Sequence, residues 1–115
     1  MPPENLQIVS STGHREGQSI MYMKGPLSLR TVFEFQNAVR AETAPNVIVD
    51  FSGVPFIDSA GLGALVGAHV SAQKARRKLV FVAMNTQVIT LLEMTRTRPL
   101  FRIYATMQEA EAALS

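Results

Sequence analysis

Asp58 and Ser59 are the residues of this chain whose type and position best suit chemistry, because they stand where an apolar strand gives way to a helix. The apolar run at 47–51 leads through a short loop into Asp58-Ser59-Ala60-Gly61-Leu62-Gly63, so the serine falls at the start of the predicted helix. The first backbone N–H groups of a helix lack partners inside it, and the positive end of its dipole lies there. Ser59 is therefore a candidate helix cap, a candidate anion site, or a hydroxyl presented to another protein, and Asp58 is an equally good cap.

A hydrolytic role for Ser59 lacks the necessary neighbours. A nucleophile elbow has glycine two positions before the serine, and Ile57 stands there. Of the two histidines, His14 lies in a polar turn, and His69 lies ten residues along the same helix, about 15 Å away by helical rise. Two histidines without nearby acids also make a poor metal site. The sequence therefore predicts no catalytic residue, no metal and no cofactor.

The glycines after Ser59 do not form a dinucleotide-binding turn. Gly61, Gly63 and Gly67 fall inside the predicted helix, whereas the dinucleotide fingerprint places its glycines directly after the strand. Each glycine costs a helix about 0.5–1 kcal/mol relative to alanine. These small residues thus serve either tight packing against the sheet or a smooth surface that a partner approaches, and both interpretations stay open.

The elements around the 47–51 strand must position Asp58 and Ser59. Near the N-terminus, 6–9 and 19–23 are predicted to pair as a hairpin, and a helix capped by Ser28 follows and ends before Pro45. Its residues recur at the spacing of one helical face: Leu29, Val32, Phe33, Gln36 and Val39. The later elements are the strand 47–51, a helix 59–75, a strand 79–83, a helix from Thr86, a strand 101–104 and a closing helix 107–114. This order predicts an α/β fold, with a mixed sheet of about five strands flanked by about four helices.

Composition limits the class of protein. The 115 residues are 47% hydrophobic and 17% charged, which predicts one globular domain over 1–115. The chain has no cysteine, and none of its apolar runs approaches the roughly 18 residues that a membrane-spanning helix needs. Its N-terminus lacks the pattern of an export signal, so we expect a cytoplasmic protein without membrane insertion.

The net charge of +2 is small, and its basic cluster has a local explanation. The cluster falls where the helix from Ser59 ends, so its cations complement the negative end of the helix dipole: Lys74, Arg76, Arg77 and Lys78. Aromatic residues for base stacking are not interleaved with it, so we expect no nucleic-acid partner.

Residues 49–65, Val-Asp-Phe-Ser-Gly-Val-Pro-Phe-Ile-Asp-Ser-Ala-Gly-Leu-Gly-Ala-Leu, resemble the signature of the STAS domain of bacterial anti-sigma-factor antagonists. Weaker similarity covers 79–83, the helix with Leu91-Leu92-Glu93-Met94, and 100–114. The resemblance implies that Ser59 is phosphorylated by a partner that is both a serine kinase and an anti-sigma factor. The unphosphorylated antagonist would bind that partner and release a sigma factor. The implied contact residues are Asp58, Ser59, Gly61, Leu62 and an exposed Phe56, with Gly25 to Ser28 as a rim.

One departure from the family pattern leaves alternatives open. Family members commonly carry Gly-x-Leu-Asp before the first helix, and this chain has Gly25-Pro26-Leu27-Ser28, which loses the charge. The partner could therefore differ from the usual kinase. A STAS accessory subunit of a transporter or signalling complex that is never phosphorylated is one alternative, and weak nucleotide binding or hydrolysis by this chain is another. The unpaired edge of the first hairpin would also permit a homodimer.

Overall fold

Strands and helices alternate after an initial hairpin in the computed structural model, which describes residues 5–114. Its strands are β1 (Gln7–Thr12), β2 (Gln18–Lys24), β3 (Asn46–Gly53), β4 (Lys78–Val82) and β5 (Arg102–Tyr104). Its helices are α1 (Val32–Ala41), α2 (Ser59–Lys74), α3 (Thr86–Met94) and α4 (Met107–Leu114), with a short 3₁₀ turn at Arg98–Leu100. The predicted five-stranded mixed sheet with four helices is confirmed, and the first hairpin is longer than the sequence indicated.

The strands lie in the order β1-β2-β3-β4-β5. The β1–β2 pair is antiparallel and the other three pairs are parallel. The carboxyl ends of β2, β3 and β4 therefore meet at one edge of the sheet, and the loops that leave this edge include the one before Ser59.

Two helical layers explain why β3 carries a nearly continuous apolar run at residues 47–51. On one face, Val49 and Phe51 of β3 pack in a core to which α1, α2 and α3 contribute Phe35, Leu65 and Leu92. On the other face, Ile48 packs with Ile20, Val80 and Val82 against Ala110 and Leu114 of α4. A strand covered on both faces has no solvent side, so its sequence does not alternate.

The predicted start of the first helix is wrong. α1 begins at Val32, and the Ser28 hydroxyl caps nothing among the described residues; the Ser28 carbonyl instead accepts the Thr31 and Val32 N–H groups at 2.9 Å. Leu29 precedes the helix, and Leu29 and Phe33 are 71% and 70% exposed. The buried face of α1 is formed by Val32 and Phe35.

Tertiary contacts hold residues 25–31 out of the helix. Thr31 is buried, and its Oγ1 donates to the Pro26 carbonyl at 2.8 Å and accepts the Ser28 N–H at 2.9 Å. Leu27 forms a parallel β-bridge with Ile57. This segment pairs with a loop far along the chain, so it stays outside the helix although the apolar spacing of the sequence continues through it.

Residues of the basic cluster close the C-terminus of α2 through their main-chain N–H groups, and the effect of their charges on the helix dipole stays a prediction. Arg76 takes a positive φ of 57°, its N–H donates to the Gln73 carbonyl at 3.1 Å, and the Arg77 N–H donates to the Ala72 carbonyl at 2.9 Å. This pair of bonds is a Schellman motif, which satisfies the last carbonyls of the helix. The Arg77 guanidinium also donates to the Glu42 main-chain carbonyl and so ties the ends of α1 and α2 together.

No helix within residues 5–114 is both long and apolar enough to cross a membrane.

Candidate functional site

Asp58 is the N-cap of α2. Its backbone is extended, with φ −111° and ψ −170°, and its Oδ1 accepts the Gly61 N–H at 2.8 Å. Its second carboxylate oxygen, Oδ2, accepts the Leu29 N–H at 3.0 Å. A single side chain therefore satisfies one orphan donor of the helix and also links the helix start to the segment before α1.

Ser59 is the first residue of α2, and its side chain is exposed. Within residues 5–114 its hydroxyl forms no hydrogen bond, because Asp58 already occupies the capping position. Of the roles that the sequence left open, the cap thus belongs to Asp58. The Ser59 hydroxyl stays accessible to another molecule.

The loop before α1 and the loop before α2 form one continuous ladder. The Gly25 N–H donates to the Gly53 carbonyl at 2.9 Å and the Leu27 N–H donates to the Phe56 carbonyl at 3.2 Å. The Leu27 carbonyl in turn accepts the Asp58 N–H at 3.3 Å. The candidate rim, residues 25–28, is therefore fixed beside the loop that carries Phe56, Asp58 and Ser59, and we call residues 25–29 with 53–62 the two-loop surface.

The glycines of this region have two different roles. A Cβ at Gly61 would lie 2.2 Å from the Leu27 carbonyl oxygen, and Gly25 has a φ of +118° with a Cβ position 2.1 Å from the Asn5 carbonyl oxygen. Both glycines are buried and permit close backbone approach. Nothing lies within 4 Å of a Cβ at Gly63 or Gly67, so those two leave bare helix surface. The packing interpretation therefore holds at Gly61, whereas Gly63 and Gly67 provide the open surface that the other interpretation requires.

Exposed apolar side chains lie on both sides of Ser59. Phe56 is 47% exposed, and Leu62 is half-buried. Phe56 and Ile57 line an open groove of about 580 Å³ together with Leu91 and Met94 of α3. On the α1 side, the side chains of Leu29 and Phe33 are exposed, and the Leu29 N–H is bonded to Asp58, the residue before Ser59.

Sequence reasoning missed three of these apolar residues. The sequence pattern places Leu29 and Phe33 on the repeating face of the first helix, and it gives no sign that Met94, which is 77% exposed, lies at this surface. Their exposure depends on where α1 begins and on how α3 lies beside the Phe56 loop, which the local sequence does not contain.

The described residues contain no group of three or more His, Asp or Glu side chains placed to share a metal ion. The two histidines lie far from Ser59. His14 Nδ1 contacts Glu111 Oε1 at 2.6 Å on α4, and His69 packs edge-on against Phe101 with ring centroids 5.9 Å apart.

The STAS domain family matches residues 9–110, and the protein belongs to that family. Its fold is shared with an anti-sigma factor antagonist from Mycobacterium paratuberculosis, at 22% identity, 96% coverage of this chain, 95% of that chain and a TM-score of 0.83. The Bacillus anti-sigma factor antagonist SpoIIAA, solved in unphosphorylated and phosphorylated forms, matches in the unphosphorylated form at 17% identity, 95% coverage of each chain and a TM-score of 0.71.

A sulfate transporter family protein from Wolinella succinogenes matches at 20% identity, with 86% of this chain and 85% of that chain covered and a TM-score of 0.72. At these identities the solved structures establish the shared fold. The family match over residues 9–110 confirms the resemblance drawn from residues 49–65 as to family.

Proposed function

We propose that this chain is a non-enzymatic regulatory switch of the cytoplasm, an anti-sigma factor antagonist that binds a serine kinase with anti-sigma activity through the two-loop surface. Phosphorylation of Ser59 would end that binding. The observation that carries the proposal is the exposed, unbonded Ser59 hydroxyl beside the Asp58 cap, on a surface flanked by exposed apolar side chains. Ser59 is the substrate residue here, and ATP belongs to the partner.

The helix start tolerates a phosphate group without rearrangement. Gly61 N–H is taken by the Asp58 side chain and Leu62 N–H by the Asp58 carbonyl at 2.8 Å. The N–H groups of Ser59 and Ala60 have no such partner among the described residues, and a helix N-terminus favours anions through these groups and its dipole. We therefore expect phosphorylation to change the surface charge and to leave the fold intact.

The same phosphate opposes binding. It adds about −1.5 to −2 charges at neutral pH, directly beside the Asp58 carboxylate. Burial of these neighbouring negative charges under a partner requires their desolvation at close range, and like charges at an interface cost several kcal/mol. A loss of about 2.7 kcal/mol already weakens the complex a hundredfold.

The experiment combines the purified chain with ATP and the serine kinases of its own genome, followed by intact mass and binding measurements. We expect one added phosphate, which is lost in Ser59→Ala and retained in the matched variant Ser52→Ala, whose serine is also exposed. Partner release should accompany the added phosphate. A phosphorylated sample whose backbone amide spectrum changes throughout would contradict the expected local effect.

A second candidate function is that of an accessory STAS subunit of a transporter or signalling complex, without phosphorylation. It is supported by the fold shared with a sulfate transporter family protein and by Ser28, which stands where family members commonly carry aspartate. Its partner would not be a kinase. Binding that is unchanged by Ser59→Asp would favour it.

We also propose that two copies of the chain can pair through β1. This strand lies at one edge of the sheet, five of its six residues are exposed, and it contains no charged residue or proline to block pairing. The Gly13 N–H donates to the Gln18 carbonyl, and hydrogen-bonded positions alternate with unbonded ones along an antiparallel pair. The N–H and C=O groups of residues 8, 10 and 12 therefore point away from β2, towards the open edge of the sheet. Val9, which is 63% exposed, would then lie at the centre of an antiparallel pair.

A further inference from the structure

A second concave site, which we call the α1–α2 pocket, lies where α1 and α2 end, at the amino-terminal end of the parallel strands. It is a pocket of about 220 Å³ whose floor is apolar: Met21, Val39, Val47, Ala68, Ala72 and Leu79. Ala68 to Ala72 lie nine to thirteen residues along α2 from Ser59, about 14–20 Å by helical rise. This pocket is therefore separate from the two-loop surface.

Small residues on α2 create the pocket. Ala68 and Ala72 face the gap, and Val39 of α1 does not fill it. A second cavity of about 140 Å³ shares Val39 and Ala68 and continues the opening between the two helices towards Gly67. An apolar cavity of about 150 Å³ accommodates a benzene ring, so this opening has room for an apolar body of that size or somewhat longer.

The charged groups at the mouth of the pocket, Arg40, Glu42 and Arg77, differ in how many of their polar atoms are already hydrogen-bonded within the protein. Glu42 has its carboxylate occupied, because Ser19 Oγ donates to Oε2 at 2.6 Å, and the N–H groups of Thr43 and Ala44 donate to Oε1 at 3.0 Å. Its oxygens already accept three hydrogen bonds within the protein, and its single negative charge is outnumbered by Arg40 and Arg77 at the same mouth. Carbonyls of α2 at the mouth are also satisfied, because Ser71 accepts from the Ala75 N–H at 3.0 Å and Ala72 from the Arg77 N–H at 2.9 Å.

Hydrogen-bond donors remain available on Arg40 and Arg77, the two arginines at the mouth of the pocket. Arg77 is half-buried and donates from one guanidinium nitrogen to the Glu42 main-chain carbonyl, which leaves further N–H groups of its five. Arg40 lines the same mouth and is exposed. An apolar floor with guanidinium donors at its rim matches a carboxylate that carries an apolar body, since guanidinium and carboxylate pair in a planar geometry.

We propose that the α1–α2 pocket binds a small apolar carboxylate. The apolar body lies against Val39, Ala68 and Ala72, and the carboxylate meets Arg40 and Arg77. This site does not depend on phosphorylation of Ser59, and its failure or success is measured without the kinase.

The test titrates the full chain with benzoate and octanoate at constant ionic strength and follows backbone amide NMR shifts. Acetate carries the charge without the body, and benzyl alcohol carries the body without the charge. We expect octanoate or benzoate to bind with a Kd of about 1 mM or below, which is the range for ligands of this size. The shifts should concentrate at the pocket floor, and acetate and benzyl alcohol should bind at least several-fold more weakly.

Two variants test separately how the pocket binds the apolar body and the carboxylate of the ligand, and a third variant is the control. Ala72→Leu fills the pocket and should abolish binding, and the thermal melt of the variant checks that it folds. Arg40→Gln leaves the core untouched and should weaken binding about threefold, as for an exposed ion pair. The matched control Gly63→Ala, on an open face of the same helix, should bind normally.

Absence of pocket shifts with both carboxylates at 10 mM would overturn the proposal. Equal binding of acetate would also overturn it, because the arginines would then attract any anion. Equal binding of benzyl alcohol, or unchanged binding by Arg40→Gln, would assign the pocket to neutral apolar molecules and refute the carboxylate.

Discussion

Asp58→Ala and Ser59→Ala should differ sharply in stability although the residues are adjacent. Alanine at 58 removes the acceptor of the Gly61 N–H, a cap that contributes about 0.5–2 kcal/mol. It also leaves the Leu29 N–H without its carboxylate acceptor, a charge-assisted bond of about 1 kcal/mol in this partly exposed place. We therefore expect Asp58→Ala to lower the free energy of unfolding by about 1.5–3 kcal/mol.

Ser59→Ala removes an exposed hydroxyl that has no hydrogen bond within residues 5–114. Alanine is also the better helix former, so the change in unfolding free energy should stay within about 0.5 kcal/mol. Asp58→Asn isolates the second contact, because the amide oxygen still accepts the Gly61 N–H while its nitrogen cannot accept from Leu29.

Urea unfolding at pH 7, followed by circular dichroism, measures all three variants. A thermal melt gives a second measure: for a domain of this length, 1 kcal/mol corresponds to about 4 °C in Tm, so Asp58→Ala should melt about 6–12 °C below the wild type. Asp58→Asn should fall between the other two. A Ser59→Ala variant as unstable as Asp58→Ala would refute the assignment of the cap, and with it the free hydroxyl on which the switch depends.

Three further predictions concern the remaining surfaces and the core. Burial alone would raise the pKa of Glu42, but hydrogen bonds from Ser19 and from backbone N–H groups, with the charge of Arg77, lower that pKa below its ordinary value. The stabilisation is thus present near neutral pH and is lost as the pH falls through the folded-state pKa. Glu42→Gln should flatten the acid side of the pH–stability curve, and an unchanged acid limb would contradict this. Gly61→Ala should destabilise by at least about 2 kcal/mol because its Cβ would meet the Leu27 carbonyl, whereas Gly63→Ala, in open space, should stabilise by about 0.5–1 kcal/mol; equal effects in urea unfolding would disprove the close approach. Sedimentation equilibrium should detect a weak wild-type dimer that Val9→Lys abolishes, and a wild-type monomer at millimolar concentration would exclude pairing through β1.

The strands and α2 could be predicted because their signals are local. The apolar run of β3 and the Asp58-Ser59 start of α2 lie within short windows of sequence, and both occur where expected. The start of α1 could not be predicted in the same way. Its position follows from the pairing of Leu27 with Ile57, thirty residues away, and that pairing also exposes Leu29 and Phe33.

The choice between two adjacent capping residues also needed the tertiary structure. Asp58 and Ser59 are both good caps by type, and Asp58 occupies the position while its second oxygen contacts Leu29 from a different loop. The pocket between α1 and α2 depends on the distance between two helices. The sequence showed the small residues of α2 but not the gap beside them.

The most direct test of the switch compares partner affinity before and after phosphorylation of Ser59 by the kinase of the same genome. We expect tight binding of the unphosphorylated chain, at least a hundredfold weaker binding once a single phosphate is present, and no phosphate on Ser59→Ala. Tight binding to a partner that never modifies Ser59, with the same affinity for Ser59→Asp, would contradict the switch and favour a constitutive accessory subunit.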